Sequence, residues 1–197
     1  MTTADRQRVA DEAFADTIAA HRRVQRDGQA ALFAAADALL TALGAGRKVL
    51  VCGNGGSAAD AQHVAAELVG RFVRERRAFP ALALTTDTSI LTAIGNDYGF
   101  ERVFARQVEA HGQAGDVLVA ISTSGGSANV LAAVETARSR GLVTIGLTGR
   151  DGGALGRAVD VHLNVPSPST ARVQEVHITT LHVLCDLVEQ ELVDIDG

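Results

Sequence analysis

A doubly wound α/β/α sandwich around a five-stranded parallel sheet, with extra helices at its N-terminus, is the fold class this sequence predicts. From Lys48 onward, short apolar runs alternate with stretches of helical spacing. That is the pattern of a parallel sheet with crossover helices. The apolar runs are nearly continuous, as in Val117-Leu118-Val119-Ala120-Ile121, which suits strands covered on both faces. Two of the runs end in turns rich in Gly and Ser. These are Gly53-Asn54-Gly55-Gly56-Ser57 and Ser122-Thr123-Ser124-Gly125-Gly126-Ser127, and each opens an Ala-rich helical stretch.

The elements follow in order. Residues 5–43 carry helix-spaced apolar positions broken near Gly28, which predicts two helices stopped by Gly44-Ala45-Gly46. They lie outside the α/β repeat, so residues 1–46 are expected to pack on the sheet or in an oligomer contact. Strands are predicted at 49–52, 81–84, 117–121, 143–147 and 161–165. Helices are predicted at 58–71, 88–93, 101–111, 128–139 and 173–192, with Pro166 and Pro168 punctuating the chain before the last. The 197 residues are expected to form a single domain, a length that buries a sizeable core.

Composition narrows the function. The chain is 47% apolar and 21% charged, ordinary for a globular protein. It has no Trp and one Tyr, which argues against an aromatic recognition surface. The net charge is -5, and the one basic concentration, 71–77, contains Glu75 and is read as a solvated loop. Nucleic acid is therefore a disfavoured partner. No apolar run approaches the roughly 20 residues a membrane crossing needs, and Met1-Thr2-Thr3-Ala4-Asp5-Arg6 holds no apolar signal core. A cytoplasmic location without membrane contact is expected. Cys52 and Cys185 sit in apolar segments and read as buried, reduced thiols.

The two turns point to an anion. A strand that turns through Gly and Ser into a helix aims backbone N–H groups and hydroxyls at one spot, where the helix dipole favours negative charge. On a doubly wound sheet, ligands bind at the carboxyl ends of the strands, where both turns belong. The first turn matches G-x-G-x-x-A through Gly53, Gly55 and Ala58. A dinucleotide site also wants an acid about 20 residues on, and Asp87 comes too late. No G-x-x-x-x-G-K-[ST] is present. A tight turn needing Gly only for geometry is the simpler alternative. The second turn is stronger, because Ser122, Thr123, Ser124 and Ser127 offer more hydroxyls than capping requires. Together the turns predict a site for a phosphorylated small molecule.

His63 and Glu67 are four apart on the helix after the first turn and share a face. Beside an anion site, they are candidates for chemistry as well as for an exposed pair. The last helix carries Gln174, His177 and His182. His177 reads as a histidine at the edge of the apolar face. Gln174 and His182 are roughly 12 Å apart along one helix axis, too far to close around one ion. If both serve one site, they are expected to come from different subunits.

At these residues the chain resembles the sugar isomerase (SIS) domain family, and within it the phosphoheptose isomerase branch. The resemblance spans nearly the whole chain, to about Leu192. Its motifs are Cys52 through His63, Gly95-Asn96-Asp97-Tyr98-Gly99-Phe100, Ile121 through Ser127, and Arg172-Val173-Gln174-Glu175-Val176-His177. Ala171 departs from the pattern, since some relatives carry Asp there, and Gly126 stands where Asn is more usual.

The resemblance implies an aldose–ketose isomerase that converts sedoheptulose 7-phosphate to D-glycero-D-manno-heptose 7-phosphate through an enediol, in nucleotide-activated heptose biosynthesis. It implies one zinc per subunit, held by His63, Glu67, Gln174 and His182, with Glu67 and His182 as the acid–base pair. It assigns Asn54, Gly55, Gly56, Asn96 and Asp97 to the sugar. Ser122, Thr123, Ser124 and Ser127 go to the phosphate with Ser57 nearby, and Glu67, Arg71 and Gln174 are further substrate contacts. It also implies a homotetramer with sites between subunits. The competing implications are a non-catalytic SIS protein that binds the replication initiator DnaA, and an isomerase of another sugar phosphate.

Overall fold

The computed structural model describes residues 1–196, leaving aside the side chains of 193–196. Five strands, β1 (Val49–Gly53), β2 (Ala81–Ala83), β3 (Val117–Ser122), β4 (Val143–Gly149) and β5 (Val161–Val165), form one sheet in the order β2-β1-β3-β4-β5. All four pairings are parallel, with Val49 opposite both Ala81 and Val117, and Gly53 opposite Ile121. Every residue of β1 and β3 is buried, so the continuous apolar runs meet helices on both sides. The predicted fold class holds.

Side-chain alternation along the strands sorts the two helical layers. Val49 and Val51 join a cluster with α2 (Gln29–Gly44), α3 (Gly56–Val69) and α8 (Thr170–Asp196). Leu50 and Cys52 face the opposite layer, built from α4 (Thr88–Tyr98), α5 (Ala105–His111), α6 (Ala128–Ser139) and α7 (Gly153–Ala158). The strand order reverses between β1 and β3, the switch point where such sheets leave a crevice for ligands. Both Gly/Ser turns leave the sheet there.

The two N-terminal helices behave differently. α2 buries Ala35, Ala36, Leu39, Ala42 and Leu43 against the sheet layer. α1 (Thr3–Asp27) buries no residue. It is tied to α8 by polar bonds, Thr17 Oγ1 to Glu175 at 2.6 Å and His21 Nε2 to Thr179 Oγ1 at 2.9 Å. Phe14 and Ile18 remain exposed on it. No helix among the described residues is long and apolar enough to cross a membrane.

Three local expectations change. The helix expected at 101–111 is a 3-10 turn at Phe100–Arg102 followed by α5. Helix α7 was not predicted; its six residues, GALGRA, are too short and too glycine-rich to show a period. The 71–77 run is not wholly solvated, because the Arg76 side chain is only 3% exposed and pairs with Glu189. Both cysteines are buried and free, and burial pushes each thiol up to about 12.

Candidate active site

The first turn leaves β1 at Gly53 and enters α3 at Gly56. Ser57 is buried in the first turn of α3 while Gly55 and Gly56 are exposed. A methyl group at Gly56 would lie 2.2 Å from Gln174 Nε2, so any larger residue there has to displace the end of the α8 side chain. Gln174 is therefore seated over the first turn.

The second turn leaves β3 at Ser122 and enters α6 at Ala128. Ser122 Oγ lies 2.9 Å from Ser127 Oγ and 3.4 Å from Ser124 Oγ, and Gly126 N–H donates to Ser124 Oγ at 3.2 Å. Ser127 occupies the N-cap of α6 without a side-chain cap bond, so capping does not consume its hydroxyl. Gly125 has φ +64° and lies so close to Gly152 that a Cβ would fall 2.1 Å from the Gly152 carbonyl oxygen. Leu155 N–H donates to Gly125 O at 2.8 Å. The unpredicted α7 thus supports the hydroxyl loop from beneath.

The two turns are joined side chain to side chain. Asn54 Nδ2 donates to Asn129 Oδ1 at 2.9 Å, and Asn129 Nδ2 donates back to Asn54 Oδ1 at 2.8 Å. Asn129 was not among the predicted site residues. Its signal in sequence is an amide two residues after Ser127 at the start of an apolar helix.

The chemistry gathers between α3 and α8. His63 Nε2 lies 3.0 Å from Glu67 Oε1 and 3.2 Å from His182 Nε2. The ligand atoms of all three lie within 4.8 Å of one another. The histidine rings stand edge to face, 70° apart, and the Phe72 ring lies 5.3 Å from His182. Tetrahedral zinc with bonds of about 2.0–2.1 Å separates its ligand atoms by about 3.3 Å. The His63–Glu67 and His63–His182 spacings come near that value, and two imidazole nitrogens with a carboxylate oxygen are a donor set suited to such an ion, with a position left open. Asp60, one turn before His63, is half-buried with Oδ2 unpartnered, and burial pushes its carboxyl up.

The remaining predicted residues lie apart within one chain. Arg71 is exposed, 3.8 Å from Glu75, and donates to Val73 O at 3.2 Å. Asn96 and Asp97 are exposed in the last turn of α4, bonded to each other at 2.7 Å. Thr123 is half-buried and Ser124 exposed at the mouth of the second turn. His177 stays out of the cluster: it is buried, with Nε2 2.9 Å from Thr148 O, and burial pulls its imidazole down to about 4.

A family model of the SIS domain matches residues 13–149, more than half of the sequence. The chain belongs to the SIS domain family. Within the family it is 64% identical to a phosphoheptose isomerase of Geobacter sulfurreducens over 157 residues, covering 80% of this chain and 83% of that protein. The phosphoheptose isomerase GmhA of Neisseria gonorrhoeae superposes with a TM-score of 0.88 at 52% identity, covering 94% of this chain and 98% of that one. The phosphoheptose isomerase of Francisella tularensis superposes with a TM-score of 0.91 at 42% identity, covering 96% and 100%.

Proposed function

We infer that this protein is an aldose–ketose isomerase that interconverts sedoheptulose 7-phosphate and D-glycero-D-manno-heptose 7-phosphate. The observation that carries the reading is the His63, Glu67 and His182 cluster, in a domain whose two Gly/Ser turns meet at the switch point. Relatives above 60% identity named for that reaction supply the substrate. A protein that only bound DnaA would have no use for the intact cluster.

The reaction moves a proton between adjacent carbons. One group takes the carbon-bound proton, and the electron pair of that C–H bond becomes the enediol double bond. Another group gives a proton to the carbonyl oxygen, and the two steps then run in reverse on the neighbouring carbon. Glu67 and His182 are assigned to this pair. The hydroxyls of Ser122, Thr123, Ser124 and Ser127 hold the phosphate with Ser57 at the N-terminus of α3. Neutral donors there bind a dianion without trapping the product. Asn54, Gly55 and Gly56 face the sugar, joined by Asn96, Asp97 and Arg71.

His63, Glu67 and His182 would hold zinc, with Gln174 as fourth ligand, one ion per subunit. When bound, it polarises the sugar's carbonyl and hydroxyl oxygens and stabilises the negative charge developing there. Gln174 sits eight residues before His182 on α8, so it would join the ion site of a neighbouring subunit, in a homotetramer with shared sites. The reading also places the enzyme in the cytoplasm, supplying nucleotide-activated heptose synthesis.

The experiment is turnover of sedoheptulose 7-phosphate with and without a chelator. Loss on chelation and recovery with zinc is the expected result. No turnover by the zinc-loaded, assembled oligomer overturns the reading.

A further inference from the structure

A buried ion pair stands directly behind the cluster. The side chains of Arg76 and Glu189 are 3% and 1% exposed and meet at 3.0 Å. The same guanidinium nitrogen, Nη2, donates to the backbone carbonyl of Glu67 at 2.8 Å. Nη1 donates to the carbonyls of Leu68 at 2.9 Å, Gly70 at 3.1 Å and Arg77 at 3.0 Å. Arg76 thus satisfies carbonyls left open where α3 ends, at the negative pole of its dipole.

Glu189 lies on α8, two turns after His182 and on the same side of the helix. Its Oε1 accepts from Phe72 N–H at 2.6 Å, and its Oε2 accepts from Val73 and Arg74 N–H at 2.8 and 2.9 Å. The loop fixed in this way carries Phe72, whose ring packs on His182.

Stability alone does not account for this arrangement. A buried ion pair bears a desolvation penalty for both charges, and well-packed apolar residues often hold a fold as firmly. What the charges add is direction. The apolar contacts between α3 and α8, through Leu68, Leu181 and Cys185, permit sliding. A guanidinium fork between a carboxylate and a helix end fixes angle and distance together. The pair's bonds also lead to the cluster and its surroundings: to the backbone of Glu67, to the helix that carries His182, and to the loop whose Phe72 packs on His182.

We propose that Arg76 and Glu189 are positioning residues, a strut that sets the separation of α3 and α8 and so holds His63, Glu67 and His182 at metal-binding and proton-transfer distance. The proposal rests on the functional reading given above. It assigns both residues an effect on metal affinity and kcat, and little effect on binding of the sugar phosphate, whose phosphate loop lies on β3 and α6.

The test compares E189Q and R76K with D116N. Asp116 is a control of the same kind: fully buried, 2.6 Å from Lys48 Nζ, and bonded to the backbone of Lys48 and Gln113 rather than to any residue of the cluster. Zinc affinity is read by competition with a chromophoric chelator, and kcat and KM on sedoheptulose 7-phosphate. E189Q is expected to lose about 10- to 100-fold in zinc affinity, the range found when partners of metal ligands are removed. Its kcat falls by about tenfold while KM stays within about threefold. R76K, which keeps the charge without the fork, falls between wild type and E189Q, and it carries the test if E189Q does not fold. D116N keeps both values despite a lowered Tm. Folded E189Q and R76K with zinc affinity and kcat within twofold of wild type overturn the proposal, as does an equal loss in D116N.

Wild-type protein that neither binds zinc nor turns over the sugar overturns the functional reading instead. The strut is then read from crystal structures of wild type and E189Q. An increase of about 1 Å in the His63–His182 separation, enough to misplace catalytic groups, supports it, and an unchanged separation overturns it.

Discussion

Asn54 and Asn129 exchange two side-chain hydrogen bonds, 2.9 and 2.8 Å long, and so lock the turn after β1 to the helix after β3. Asn129 is buried and Asn54 half-buried; losing Asn129 leaves the Asn54 amide without either bond, whereas Asn129 also accepts from Val130 N–H at 3.0 Å. Asn129→Ala is expected to cost about 1–3 kcal/mol of stability. It should raise KM for the sugar phosphate several-fold, because the two halves of the crevice are no longer held in register. Urea unfolding and steady-state kinetics on the same preparation check both effects.

Glu67→Gln keeps the size of the side chain and removes its charge and basicity. Turnover should fall about 100-fold or more, the usual worth of positioned proton transfer. Near-wild-type kcat would remove Glu67 from the acid–base pair. His63→Ala is expected to weaken zinc binding while leaving the fold intact, since the ring is exposed; metal content after dialysis reads this directly.

Gly125 holds φ +64° with the Gly152 carbonyl beneath it. Gly125→Ala must shift the hydroxyl loop off α7, whatever rotamers surround it. The expected outcome is a loss of about 1–3 kcal/mol together with a raised KM for phosphorylated substrate. Ser124→Ala removes one exposed hydroxyl and should raise KM without changing the unfolding midpoint.

Mixed oligomers test the shared site. Gln174→Ala and His182→Ala should each be inactive alone. Unfolded together and reassembled in equal amounts, they should regain about a quarter of wild-type activity, since one site in four draws both intact residues from different subunits. No recovery would place both residues' roles within one chain.

His177 gives stability a pH dependence. Its folded-state value is held near 4 chiefly by burial, partly offset by the bond to Thr148 O, against an ordinary value of 6.5. The unfolded chain therefore binds more protons between these values, and its contribution is complete above pH 6.5 and lost as pH falls toward 4. From pH 7 to pH 5 the loss from His177 is about 2 kcal/mol. His162, also lowered by burial, adds in the same direction. Chemical unfolding at the two pH values should show the drop, and His177→Gln should flatten it in part.

The sequence by itself determined the sheet and the two turns. Val49 to Cys52 and Val117 to Ile121 are runs that only a strand covered on both faces accommodates, and the Gly/Ser segments after them have few other conformations open to them. It also placed His63 and Glu67 on one helical face, because four residues make about one turn. Helix α7 escaped because six residues containing two glycines carry no period. The tertiary structure alone decided what meets across distance. His182 reaches His63 from 119 residues away, Asn129 answers Asn54, and Arg76 leaves an apparently solvated basic run for the only buried carboxylate pairing that α8 offers it among the described residues. Local periodicity reports which face of an element is apolar. Which polar groups find one another is fixed by how the elements pack, and each of these partners was a single residue with no pattern of its own.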